Sequence, residues 1–298
     1  MASRRARLTA LAAATALAMV AAACGGDDEP AAAARVELIS AGAVDGRVDL
    51  TPDPPLGSEH TVRTVAQRTV GFAGDQAPFD IEAPRAETTS RLEIIHRPLD
   101  GGFSAAGTVI DAQSLDSGEL DAHNLIRFNR GIDAIPGAHV SASVDANGIV
   151  ERSRLDLPDG LSPVVIGAVL DLGTFAEIAV VPVPVGDVGV GAIWVDTVVD
   201  SFRSLDTVTT TTYELTALDG DRYSLDVTYE QVFDGTTTEA GLDLTYSGTV
   251  TGGGTVEGDV SRPTPIARHL AADGTVSVSD GAETVEMLID LFVDVSTS

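Results

Sequence analysis

The chain has 298 residues, 44% of them hydrophobic and 21% charged, and its 45 acidic residues face 18 basic ones, every one an arginine. This is the composition of neither a disordered chain nor an integral membrane protein. The lack of lysine excludes a P-loop, a Schiff-base enzyme and a Ser-x-x-Lys hydrolase, each of which needs an ammonium group at its reacting centre.

Arg4, Arg5 and Arg7 precede an apolar run from Leu8 to Val20, the layout of a secretory signal peptide over residues 1–23. The apolar stretch to Ala23 is shorter than the roughly 20 residues that span a bilayer core, so cleavage is expected rather than permanent anchoring. Ala21, Ala22 and Ala23 lead into Cys24, the one cysteine of the sequence. That placement resembles a bacterial lipobox, with Ala21 standing where leucine is usual. The resemblance implies cleavage before Cys24, a diacylglyceryl group on its thiol, and a mature chain moored to the extracytoplasmic face of the cell membrane. The run Ser3 to Leu8 partly resembles a twin-arginine export signal, with Arg7 where an aromatic is usual, so both general and twin-arginine export stay open.

Residues 24–35 form the next unit: Gly25, Gly26, Asp27, Asp28, Glu29, Pro30 and four alanines hold no bulky side chain and read as a solvated tether. A single globular domain is expected over 36–298. With Cys24 committed to the anchor, that domain has no disulfide and no thiolate metal site. The mature chain carries a formal charge of −30, because three arginines and no acids precede Cys24. Nucleic acid is thereby excluded as a partner, and anionic lipid headgroups are repelled, leaving the acyl chain as the membrane attachment. A salt-rich habitat and a GC-rich genome both fit such a surface.

In chain order, strands are expected near Val62–Phe72, Thr88–Arg97 and Phe103–Leu115. A helix follows over Glu119–Ile132, where Ala122, Leu125, Ile126, Phe128, Asn129 and Ile132 recur at helical spacing and Gly131 and Pro136 end the run. Val140–Asp145 pairs with Ile149–Leu157 around Asn147-Gly148. Ser162-Pro163 is a cap followed by a first-turn proline, which predicts a helix over Pro163–Ala179. Val181-Pro182-Val183-Pro184-Val185 is extended, since alternate prolines preclude a helix. Thr207–Leu218 and Asp221–Val232 make a hairpin around Asp219-Gly220. Two-residue alternation in Tyr223, Leu225, Val227 and Tyr229, in Leu242, Leu244 and Tyr246, in Val276 and Val278, and from Val285 to Val295 marks strands with one dry face. Seven Asp-Gly dipeptides, at Asp45, Asp100, Asp159, Asp219, Asp234, Asp273 and Asp280, supply hairpin chemistry, and Gly252, Gly253 and Gly254 read as a turn or bulge. The fold class that follows is α+β: a large curled antiparallel sheet, half-barrel-like, of up to a dozen strands, with one or two short helices on its apolar face. A division into two β-rich units about Pro184 is the alternative.

The stretch Pro184-Val185-Gly186-Asp187-Val188-Gly189-Val190-Gly191-Ala192-Ile193-Trp194 resembles an element of uncharacterised bacterial cell-envelope lipoproteins. There, a proline-valine run, glycines and a tryptophan open a series of strands. In architecture the chain is similar, more loosely, to the LolA-like and LppX/LprG-like lipid carriers. That likeness implies a concave face that shelters an acyl chain, and transfers no binding residue.

The residues point to no chemistry of their own. His60, His96, His123, His139 and His269 have no metal-ligand spacing, and no Gly-x-Ser-x-Gly stands in the chain. Gly186, Gly189 and Gly191 lack the spacing of a dinucleotide loop. Glu286, Asp290 and Asp294 form a solvated acidic row rather than a calcium site. Trp194, the sole indole, is expected in the core. No catalytic residue, metal or cofactor is expected. The reading that results is a non-enzymatic lipoprotein, attached at Cys24, that binds or carries an apolar small molecule or lipid; its alternative is a structural or partner-binding surface lipoprotein with a filled core.

Overall fold

The computed structural model describes residues 35–73, 81–82, 84–99, 101–116, 122–157, 180–202, 205–239 and 242–298. Cys24, the tether up to Ala34 and the helix expected over 163–179 lie outside the described residues.

The described strands are β1 (Arg35–Ala41), β2 (Glu59–Ala73), β3 (Ile81–Glu82), β4 (Ala86–His96), β5 (Phe103–Ser114), β6 (His139–Val144), β7 (Val150–Asp156), β8 (Ala192–Phe202), β9 (Leu205–Asp219), β10 (Arg222–Glu239), β11 (Leu242–Asp259), β12 (Ala267–Ser279) and β13 (Thr284–Thr297). Among the described residues there is one helix, α1 (Ala122–Ile132), between β5 and β6. All thirteen strands belong to one sheet, in the order β1-β8-β9-β10-β11-β12-β13-β2-β4-β5-β6-β7, with β3 on β2 off this path; the sheet does not close on itself. Every pairing is antiparallel.

Side-chain alternation dictates which face is dry. On β13, Val285, Met287, Ile289, Val293 and Val295 are buried, and on β10 so are Tyr223, Leu225, Val227 and Phe233. The ladder carries these positions onto one inner face. A single row across eight strands runs Trp194, Tyr213, Val227, Gly254, Leu270, Val293, Ala66 and Ala86. On that face α1 packs Phe128 and Ile132, one helical turn apart, and the following Ile135 against Val62, Ala66, Leu92 and Val109.

Strands β8 to β13 pair in sequence order, and two of their connections turn at the expected Asp219-Gly220 and Asp280-Gly281, where Gly220 and Gly281 take the positive φ a tight turn requires. Two pairings are not local. β1 crosses to the far edge to pair with β8, and β13 returns to β2 over twelve consecutive residue pairs, Glu286↔Ala73 to Thr297↔Val62. Strands from before and after Pro184 therefore share one sheet.

Three glycine signals read differently in place. Asp234-Gly235 and Asp273-Gly274 sit inside β10 and β12 rather than at turns. Gly252, Gly253 and Gly254 form no turn or bulge: both registers of β11 run unbroken through all three. Close strand approach is the reason for glycine here. A Cβ on Gly254 would lie 1.8 Å from the His269 carbonyl oxygen, and one on Gly252 2.1 Å from that of Ala271. No side chain fits at either place.

Candidate functional site

The Pro184–Trp194 element is a clamp between the chain before β8 and the sheet. Trp194 is fully buried, stacks on Tyr213 with ring centroids 5.5 Å apart, and donates its indole N–H to the Pro182 carbonyl at 2.8 Å. Val181 and Val183 bury beside it together with Leu50 and Val188. The glycines serve this crossing: Gly189 passes where a Cβ would stand 2.3 Å from the Ala43 carbonyl oxygen, and Gly186 and Gly191 adopt positive φ. No phosphate-binding loop is formed by them, since strand β8, not a helix, follows.

Directly beside the clamp, the dry inner face carries charge. Asp196 on β8 sits on the same side as Ala192 and Trp194, and Arg268 on β12 shares the side of Leu270 and Ala272. They are only 8% and 7% exposed. Asp196 faces Thr211 of β9 in the register, one inner-facing step from Tyr213, and the Tyr213 hydroxyl hydrogen-bonds both Thr211 and the Arg268 guanidinium. β10 and β11 lie between the strands of Tyr213 and Arg268. The four side chains thus converge from β8, β9 and β12.

Burial raises the Asp196 carboxyl to about 6, and the Arg268 charge only partly opposes that shift. Among the described residues its Oδ1 has no hydrogen-bond partner. Burial likewise drives the phenols of Tyr213 and Tyr223 upward, which keeps both protonated as donors. Next to the cluster the inner face is half-buried, with Val198, Tyr229, Gln231 and Leu291, and the Gln231 amide donates to Thr209 Oγ at 3.2 Å. The arrangement offers a cation, two hydroxyl donors and an acid that titrates near neutrality, set in an apolar wall.

The other residues singled out in the sequence lie apart from this cluster. The histidines fall on β2, β4, α1, β6 and β12; His269 Nδ1 meets Asp294 at 2.8 Å, and His60 Nε2 meets Ser58 Oγ at 3.0 Å. In the acidic row, Glu286 accepts from the Ser277 hydroxyl at 2.7 Å and Asp290 is exposed. Cys24 falls outside the described residues. Sequence reading passed over Asp196 and Arg268. The signal was there: each is a charged residue at an apolar position of a two-residue alternation, Ala192-Trp194-Asp196-Val198 and Arg268-Leu270-Ala272. Compared with protein-family models and with curated proteins, the chain matches none.

Proposed function

We propose that the chain is a lipid-anchored extracytoplasmic lipoprotein, attached through Cys24, that binds or carries an apolar molecule against the inner face of a curled sheet and performs no catalysis. The observation that carries the reading is the bond between Arg268 and Tyr213. Three strand steps in a flat sheet amount to about 14 Å, near the limit that two fully outstretched side chains cover. A concave sheet brings them together without that strain. Inner-face glycines at 248, 252, 254, 258 and 274 support the same curvature, because a concave surface has least room for side chains. A cupped wall of apolar residues with a few convergent polar groups is the usual form of a small-molecule site.

The second reading, a structural or partner-binding lipoprotein with a filled interior, is favoured by the complete burial of Trp194, Tyr213, Leu215 and Leu225. Native mass spectrometry of protein taken from its own membranes separates the two. A bound lipid-sized adduct supports the carrier, and a reproducibly ligand-free mass supports the filled core. The anchor has its own test: Cys24→Ser is expected to release the protein from the membrane fraction, and unchanged retention would refute lipidation as the main attachment.

A further inference from the structure

We infer that the two edge strands of the sheet, β1 and β7, are the lips of one seam: they pair with each other in a fixed register to close a twelve-stranded barrel, and their parting passes the apolar cargo to and from the bilayer. The inference rests on the carrier and anchor readings for the cargo and the bilayer. The pairing of the two edges stands without them.

Among the described residues β1 pairs on one side only, with β8, and β7 on one side only, with β6. Nine strand steps separate β8 from β6 along the sheet, roughly 43 Å if it were flat. A single peptide group spans that interval. The Pro182 carbonyl accepts from the indole N–H of Trp194 on β8, and the N–H of the next residue, Val183, donates to the Asn147 carbonyl in the β6–β7 turn at 2.7 Å. Neighbouring side chains repeat the link: Val181 is buried with Trp194 and Tyr213, and Val180 with Phe103 of β5 and Val144 of β6. The far ends of the strand order thus meet within one chain.

Eleven antiparallel pairings lead from β1 to β7, so the two edges run in opposite directions, as antiparallel closure of an even-stranded barrel requires. In the closing register Glu37 falls opposite Arg154, Leu38 opposite Ser153, Ser40 opposite Arg152 and Ala41 opposite Val150. Each strand carries its extra residue at the same level, Ile39 between Leu38 and Ser40, and Glu151 between Val150 and Arg152. The faces agree as well. Leu38 and Ala41 share the inner side of their partners Trp194 and Ala192, and Ser153 and Val150 that of Ala142 and Val144. On the outer side Glu37 meets Arg154, which already holds Asp156 at 2.6 Å, so acids flank the guanidinium across the seam. A slip of one residue would set every outward position against an inward one. A second copy would offer the same edges head to tail, but the Pro182–Val183 peptide brings a chain's own edges together first.

The seam is built to part. Eighteen residue pairs hold β10 to β11 and twelve hold β13 to β2, whereas β1 and β7 offer seven residues each, one of them bulged. It also lies at the anchor: β1 begins eleven residues after Cys24, a span of at most about 40 Å. The strand that the tether holds to the bilayer is therefore one lip of the opening, and its Leu38 and Ile39 are exposed.

The test is disulfide trapping in the full mature chain carrying Cys24→Ser, which removes the sole cysteine and leaves only introduced thiols. Two pairs follow the register, Glu37→Cys with Arg154→Cys outside and Leu38→Cys with Ser153→Cys inside; being consecutive, one occupies a hydrogen-bonded and the other a non-hydrogen-bonded site of the ladder. Glu37→Cys with Arg152→Cys is slipped by two residues and so separated by roughly 8 Å, beyond the reach of a disulfide. Mild oxidation is expected to link at least one in-register pair within the monomer, roughly tenfold or more faster than the slipped pair, read on non-reducing gels and by mass. Links between copies overturn closure and assign the edges to a second chain. A slipped pair that reacts as fast, or no link in any variant, overturns it too.

For the cargo, the reduced protein is loaded with pyrene-labelled hexadecanoate and its transfer to phosphatidylcholine vesicles is followed by fluorescence. The linked protein is expected to release the probe roughly tenfold or more slowly, with dithiothreitol restoring the rate. Unaltered release from the linked protein overturns the seam as the mouth and leaves the carrier standing. A reduced protein that takes up no probe overturns the carrier reading and the mouth together, while the trapped link still decides the closure.

Discussion

The indole N–H of Trp194 reaches the carbonyl oxygen of Pro182 at 2.8 Å, tying the segment that precedes β8 to the strand itself. The pair holds Val181 and Val183 in the same buried apolar cluster as Tyr213, Leu215 and Leu225.

Trp194→Phe removes that bond and leaves the Pro182 carbonyl in an apolar setting. A loss of about 2–3 kcal/mol is expected, from the unsatisfied carbonyl and the smaller ring together. Urea unfolding followed by far-UV circular dichroism measures it. In the unmodified protein the same residue gives a blue-shifted emission that resists acrylamide quenching, because its side chain is fully buried.

Asp196 makes the fold sensitive to pH in a stated direction. Its folded pKa, about 6, stands above the ordinary 3.8, so between these values the folded state holds more protons than the unfolded one and stability falls as pH rises. Asp196→Asn is therefore expected to raise the melting temperature at pH 7.5, by a gain on the order of 2 kcal/mol, and to have no such effect below about pH 4. Melting curves of both proteins from pH 4 to 8 check the crossover.

Glycines in this sheet divide into two kinds by what a methyl group would meet. At Gly281 a Cβ meets nothing within 4 Å, and the cost of alanine is that of the positive φ, about 1 kcal/mol. At Gly254 it meets backbone at 1.8 Å, so β11 and β12 must separate. Gly254→Ala is expected to cost about 3 kcal/mol or more, read as a shift of the urea midpoint.

The formal charge of −27 predicts that added salt stabilises the fold by weakening self-repulsion. Raising sodium chloride from 0.02 M to about 0.5 M, where the screening length drops to a few ångströms, should raise the melting temperature. A fall over that range would show that specific ion pairs such as Arg63 with Glu87 outweigh the repulsion.

How far the fold could be read from residues follows from where the deciding forces act. Tyr223, Leu225, Val227 and Tyr229 announce a strand because one face of it is dry, and Asp219-Gly220 announces a turn because local backbone geometry demands one. Gly252 and Gly254 carry the same local signal as a turn glycine, while their actual cause, the backbone of β12, is supplied by residues farther along the chain. The β1–β8 and β2–β13 pairings are of this second kind and left no local trace. Asp196 and Arg268 were visible individually as charges in apolar registers. Their partnership depends on β8, β9 and β12 being assembled into one sheet, which no short stretch of sequence encodes.

Strand β13 lies between β12 and β2, and its partner in β2 was made roughly two hundred residues earlier. Until it is synthesised, both neighbours present open ladders of N–H and C=O groups to any other chain. Contacts of such long sequence separation also form slowly. The nascent protein is therefore vulnerable throughout the interval between β2 and β13, and the strand that closes that interval is the one that joins its two neighbours.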